Sequence, residues 1–352
     1  MGLKKVLALT SAVTVGLVVA ATAALAGTPD SGSGGDIVDL AVSFSVTNTN
    51  HTHVPCVSDG KAYTIRGHIT APASALDDPK AATLYLHAVT QGEFYWQFNA
   101  VPGYNVAQQQ ARNGHVSVTI DRLGYGASDK PPGLATCFGS QADTANQVVT
   151  ALRTGSYRVE GHDAVRFPKV FVAGHSAGGL VATIVAYSFP DNIDGLVNFG
   201  WADQTASSFT VTELNNTNLR CLLGGDKGAP PHYAKFGTDG DKILFYSAEE
   251  AVRKAVPPLT NPDPCGDILS FGPAIATDAV SLALTKAPVL LFAGEQDSLF
   301  PPPALQLQAA RYVGNPDVTL KSLADTAHGF NYEASHLQSV AFLSDWLTSH
   351  GG

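Results

Sequence analysis

The chain has 352 residues, 45% of them hydrophobic, and carries 30 acidic against 21 basic side chains for a formal net charge of -9. That apolar content can bury one large core or two modest ones and excludes a disordered chain. The acidic balance, with no basic patch, argues against nucleic acid or an anionic membrane surface as a partner.

Residues 1–26 read as a signal peptide. Lys4 and Lys5 form the positive end, Val6 to Ala24 is apolar, and Ala24-Leu25-Ala26 is a small-x-small cleavage site. The mature chain is then expected to begin near Gly27 and to be secreted. The competing reading is an uncleaved anchor, because the apolar run approaches the roughly 20 residues that span a bilayer. No cysteine follows the site to carry a lipid, and no later stretch is long and apolar enough to cross a membrane.

Residues 27–36 form a Gly/Ser-rich leader, expected to be flexible. Leu40, Val42, Phe44 and Val46 alternate with small or polar residues, and Tyr63, Ile65 and Ile69 keep nearly the same period, which predicts two antiparallel strands. From residue 83 the pattern changes to short apolar runs: TLYLHA at 83, VSVTID at 116, VFVAG at 170, GLVNFG at 195 and VLLFAG at 289. Helical segments separate most of them, the signature of parallel strands buried on both faces. Ala142, Ala145, Val148, Val149 and Leu152 recur at helical spacing before Gly155, a C-terminal stop. A second helix is expected over 177–189, ending before Pro190. Leu337, Val340, Leu343 and Leu347 predict an apolar stripe on a final helix.

Residues 201–285 break this alternation, and read as a lid or cap inserted between 37–200 and 286–352, the two parts of one core. Four cysteines, Cys56, Cys137, Cys221 and Cys265, would meet an oxidising compartment after export, where an even count favours disulfides. Three connectivities are possible. Cys221 with Cys265 is favoured because both fall in the insertion, and Cys56 with Cys137 then follows. No two cysteines have the close spacing of a metal knuckle, so no metal site is expected.

The strongest chemical signal is Gly174-His175-Ser176-Ala177-Gly178, between the run Val170–Ala173 and a helical stretch. A serine held on such a strand-turn-helix corner occupies a strained backbone conformation, and the glycines let strand and helix pass closely. The helix beginning at Ala177 turns its N-terminal amides toward any oxyanion formed beside Ser176. A serine hydroxyl also needs a base and a group to orient that base. Asp297 in GEQDSLFPP is the expected acid, with Asp203 in GWAD held as the fallback, and His328 in DTAHGF is the expected base. A second oxyanion donor is expected from the loop after His87, at the amide of Val89 or Thr90. Thr90 is a candidate substrate contact; Tyr95 and Trp96 either line the substrate pocket or pack as aromatic rings against the sheet. Trp201, Phe209, Phe236, Phe245 and Tyr246 suggest an apolar acyl or alcohol group.

LHAVTQG at 86, DRLGYGAS at 121, GHSAGG at 174, GEQD at 294 and AHGF at 327 together resemble the α/β-hydrolase superfamily, in the branch with a compact lid between its sixth and seventh strands. The resemblance runs from about residue 83 to the end, omitting the lid. It implies a mostly parallel sheet flanked by helices, and a serine hydrolase using Ser176, Asp297 and His328 without metal or organic cofactor. It implies that Asp121–Ser128 is a structural loop, and that a glycine would usually stand where this chain has Ala88. A small-molecule carboxylic ester is the expected substrate. Lipase, peptidase, lactonase or acyltransferase activity, and a non-catalytic ligand-binding homologue, are the rival readings.

Overall fold

The structure is a computed structural model that describes Gly2 and residues 36–352; the rest of the expected signal peptide and all but the last residue of the Gly/Ser-rich leader lie outside the described residues. The two alternating segments at the start form β1 (Ile37–Thr47) and β2 (Ala62–Pro72), paired antiparallel from Ile37 with Pro72 to Thr47 with Ala62. Short α1 (Ala73–Asp77) leads to β3 (Ala81–Leu86), and α2 (Val106–Arg112) to β4 (Ser117–Asp121). Then come α3 (Phe138–Thr154), the two-residue β5 (Arg158–Val159), β6 (Lys169–His175), α4 (Ala177–Ser188) and β7 (Gly195–Phe199). Beyond the inserted segment, β10 (Val289–Gly294), α10 (Ala304–Ala309), β11 (Val318–Leu323) and α11 (His336–Ser349) complete the chain.

Nine strands form one sheet in the order β11-β10-β7-β6-β3-β4-β2-β1-β5. The six from β11 to β4 run parallel, and β2, β1 and β5 add antiparallel pairings at one side. Strands β3, β4, β7 and β10 are buried at every position, as strands covered on both faces should be, and Ser117, Thr119, Asp121 and Asn198 are buried polar members of them. From β3 the chain builds β4 on one side, then returns to lay β6 on the other. A crevice at the carboxyl ends of β3 and β6 is the position where open α/β sheets receive ligands.

The helix expectations hold with one correction. Ala142, Ala145, Val148, Val149 and Leu152 are all buried on α3, and Gly155 ends it in the left-handed conformation at φ 72°. Helix α4 is buried from Ala177 to Tyr187, so it crosses the core rather than lying on it. On α11, Val340, Leu343 and Leu347 are buried, but Leu337 is 56% exposed. Leu337 sits in the first turn, outside the stripe, and Trp346 fills the apolar face at the other end.

Between β7 and β10 the chain forms α5 (Ser208–Leu222), β8 (Tyr233–Ala234), α6 (Gly240–Leu244), α7 (Glu250–Ala255), β9 (Asp263–Pro264), α8 (Cys265–Leu269) and α9 (Phe271–Ser281). The polar run NNTN at 215 lies inside α5, and β8 pairs with β9. Disulfides join Cys56 to Cys137 and Cys221 to Cys265. The second links the end of α5 to the start of α8 across a sequence separation of 44 residues. Cross-linking a loop of that length lowers the entropy of the unfolded chain, so a Cys221→Ser/Cys265→Ser variant is expected to lose about 2–4 kcal/mol of stability, read as a lower urea midpoint.

Candidate functional site

Gly174 and Gly178 bring three backbones into contact. A side chain at Gly174 would strike the carbonyl of Gly178, and one at Gly178 would strike that of Leu86 at the end of β3. Between them Ser176 stands at φ 53°, ψ -119°, a conformation seldom adopted by a residue with a side chain. Its amide donates to the Phe199 carbonyl at 2.8 Å and its carbonyl accepts from Leu180 at 2.9 Å, so the corner is held from β7 and from α4.

His328 follows β11 and is 2% exposed. Its Nδ1–H donates to Asp297 Oδ2 at 2.8 Å. Asp297 Oδ1 accepts from the amides of Leu299 and Phe300 at 2.8 and 3.0 Å, which fixes the carboxylate after β10. Among the described residues, His328 Nε2 has no hydrogen-bond partner. Ser176 and His328 line the same small cavity, together with Val89, Thr90 and Leu299. Asp203 is elsewhere: its carboxylate pairs with Arg311 and borders a second cavity, while Glu295 is exposed. The structure thus brings Asp297, and not the fallback acid, to His328.

The second cavity opens beside Ser176 and is walled by apolar side chains, among them Trp201, Leu214, Phe236, Phe271, Ile275 and Phe300. Of the five aromatic residues expected there, only Trp201 and Phe236 line it. Phe209 packs under the Lys242 ammonium, Phe245 borders a third, outer cavity, and Tyr246 is 53% exposed. Phe271 and Ile275 went unremarked in the sequence, although their i, i+4 spacing on α9 sets them on one face.

Tyr95 and Trp96 are fully buried and line none of the cavities around Ser176. Tyr95 stacks on the His175 ring at 4.3 Å, and Trp96 packs between Tyr85 and Phe199. They support the floor of the site. Burial and the neighbouring His328 hold His175 well below the usual histidine range; its Nε2–H donates to the His328 carbonyl at 2.7 Å.

The loop after β3 is tightly anchored. His87 Nδ1–H donates to the Ala88 carbonyl at 2.7 Å, and Nε2 accepts the Arg122 amide at 3.0 Å. Buried Arg122 returns a bond from Nε to the His87 carbonyl, and Asp121 accepts the amides of Glu93 and Ala127. Ala88 is accommodated because the left-handed residue of the loop is Thr90, at φ 58°. The Thr90 amide is taken by Asp263 Oδ1 at 2.6 Å, whereas no described residue accepts the amides of Val89 or Ala177. Burial pushes the Asp263 carboxyl up to about 7, against the opposing pull of the Thr90 and Phe236 amides. On the other side, buried Glu333 accepts the amides of Ala327, Tyr246 and Ser247, tying the His328 loop to the segment between β7 and β10.

No cluster of three or more His, Cys, Asp or Glu suited to a metal ion occurs among the described residues, and no described helix is long and apolar enough to cross a membrane.

Trp201 is held in the cavity wall by a bond from its Nε1–H to Asp278 Oδ2 at 3.2 Å. Burial raises the Asp278 carboxyl to about 8, and nearby Asp203 adds to the rise. A raised carboxyl favours the folded state fully below the unfolded value near 4, and that contribution is lost as pH rises through about 8. Asp278→Asn, which keeps an acceptor for Trp201, should therefore gain stability relative to the parent by up to about 1 kcal/mol per pH unit between pH 5 and 8. Thermal melts across that range measure the difference.

The family profile described as alpha/beta hydrolase fold matches residues 98–335. No curated protein sequence matches the chain. Among solved structures it is similar to a monoacylglycerol lipase of Paleococcus ferrophilus, at 19% identity and TM-score 0.56 over 76% of this chain and 94% of that one. It is also similar to a thermophilic esterase of Thermogutta terrifontis, at 17% identity and TM-score 0.60 over 88% and 100%. A soluble variant of the Saccharomyces cerevisiae monoglyceride lipase aligns at 18% identity and TM-score 0.60 over 85% and 97%. At these identities the neighbours speak for the fold, and the profile, which spans most of the chain, for the lineage: this protein belongs to the alpha/beta hydrolase fold family.

Proposed function

We propose that the protein is a secreted serine hydrolase that cleaves a small carboxylic ester through an acyl-enzyme on Ser176. The observation that carries the reading is His328, whose Nδ1–H is engaged by Asp297 while Nε2 stays without a partner in the cavity that Ser176 also lines. That is the arrangement a general base needs. His328 takes the Ser176 proton as Oγ bonds to the ester carbonyl carbon. The amides of Ala177 and Val89 receive the oxyanion, and His328 passes the proton to the departing alcohol. Water, deprotonated by His328, then attacks the acyl carbon; the bond to Oγ breaks, His328 returns the proton to Ser176 Oγ, and the acid is released. Asp297 keeps the imidazole in the required tautomer throughout.

The apolar second cavity fits the acyl chain, and residues 201–285 act as the lid that walls it. An ester substrate is compatible with the esterase and lipase activities named for the neighbours of this fold. Two disulfides, and the basic-apolar start of the chain with its small-residue cleavage site, favour export.

Ser176→Ala is expected to reduce kcat/KM on p-nitrophenyl esters by about 10³-fold or more and to abolish labelling by a fluorophosphonate probe. Full retention of ester cleavage by the purified variant would refute the reading. Ile275→Trp narrows the acyl cavity and should shift the preference toward shorter chains, raising KM for long acyl groups while leaving acetate hydrolysis within about twofold. An unchanged chain-length profile would take the acyl chain out of this cavity.

A further inference from the structure

We propose that Asp263, with its neighbour Asn261, clamps the Val89–Gln91 loop to the inserted segment, making Asp263 a positioning residue for the oxyanion-binding amide of Val89. The inference rests on the serine-hydrolase reading above and extends it to a carboxylate outside the triad.

Asp263 is completely buried; the Arg122 guanidinium acts on it from a distance but pairs with Asp267 instead. Both of its oxygens go to backbone donors: Oδ1 accepts from Thr90 at 2.6 Å and Oδ2 from Phe236 at 2.8 Å. Asn261 adds two bonds to the same loop, its amide donating to the Thr90 carbonyl at 2.8 Å and its Nδ2 to the Gln91 carbonyl at 3.0 Å. Thr90 is β-branched and stands at φ 58°, a conformation that such a residue keeps only where its surroundings impose it. The surroundings here are residues 261–263. The clamp leaves the preceding amide, that of Val89, without an acceptor beside Ser176. It also locates Phe236, which borders both cavities next to Ser176 and the outer one.

A carboxylate suits this position because two N–H groups converge on its two oxygens. An asparagine would turn an NH₂ group toward one of them. The inserted segment therefore helps to set the reaction's electrostatics as well as covering the site, since an oxyanion donor is effective only when its direction is fixed in advance.

The test uses the full disulfide-bonded chain and compares Asp263→Asn and Asn261→Ala with the parent. For Asp263→Asn, kcat on a p-nitrophenyl ester is expected to fall about 10–100-fold with KM within about threefold. Affinity for an alkyl trifluoromethyl ketone, which forms a tetrahedral oxyanion on Ser176, should fall by the same factor, while affinity for the corresponding alcohol is unchanged. Asn261 is half-buried, and Asn261→Ala should show the same parallel loss at about threefold. A folded Asp263→Asn with unchanged kcat and ketone affinity overturns the proposal. So does an unfolded Asp263→Asn accompanied by an unaffected Asn261→Ala, since the clamp would then serve stability alone. A parent chain without ester hydrolysis would instead count against the serine-hydrolase reading itself.

Discussion

The contact on which the site depends is one of backbone against backbone. Gly174 touches Gly178, and Gly178 touches the end of β3, so the turn after β6 is forced into the conformation seen at Ser176. No side chain larger than hydrogen fits at either glycine. Strain at Ser176 is sustained because the parallel sheet holds β3, β6 and β7 in register on both sides of the turn, and because α4 is buried along nearly its whole length. A serine raised on this corner stands clear of the sheet, at the edge of two cavities that meet there.

The polar groups that face Ser176 arrive on loops at the carboxyl ends of other strands, and each loop is fixed by buried hydrogen bonds. Asp297 is set by two backbone amides before it meets His328. The His87–Thr90 loop is braced from beneath by Arg122 and from above by Asp263. Glu333 joins the His328 loop to residues 246 and 247. Two loops that the core strands deliver are thus each tied by a buried carboxylate to the segment between β7 and β10. Such bonds are costly to leave half-made in a dry interior, which makes the segment part of the site's framework.

Much of the fold was legible because burial has a period. Runs such as VFVAG and VLLFAG are apolar at every position, as strands covered on both faces must be, and the stripe on α3 repeats at helical spacing up to Gly155. The same logic misjudged Leu337, since a stripe of four residues does not say which turn of α11 still faces the core. It left Tyr95 and Trp96 open between the pocket wall and packing against the sheet. Their closeness in sequence to the loop after β3 suggested a cavity wall, but the chain turns inward there, and both rings pack beneath the site.

The sequence by itself determined the family, the glycine-flanked serine corner and the chain order of serine, acid and histidine, because each is written locally in residue type and spacing. It left two acids open for one histidine, and nothing in 261–263 announced a clamp. Those matters were decided by tertiary structure. Which carboxylate reaches His328 depends on how β7, β10 and β11 line up, and Asp203, the fallback acid after β7, is drawn instead to Arg311 on the turn that follows α10. Asp263 meets Thr90 across 173 positions of chain. A hydrogen bond of that span leaves no local pattern, since its geometry exists only once the sheet and the inserted segment are packed together.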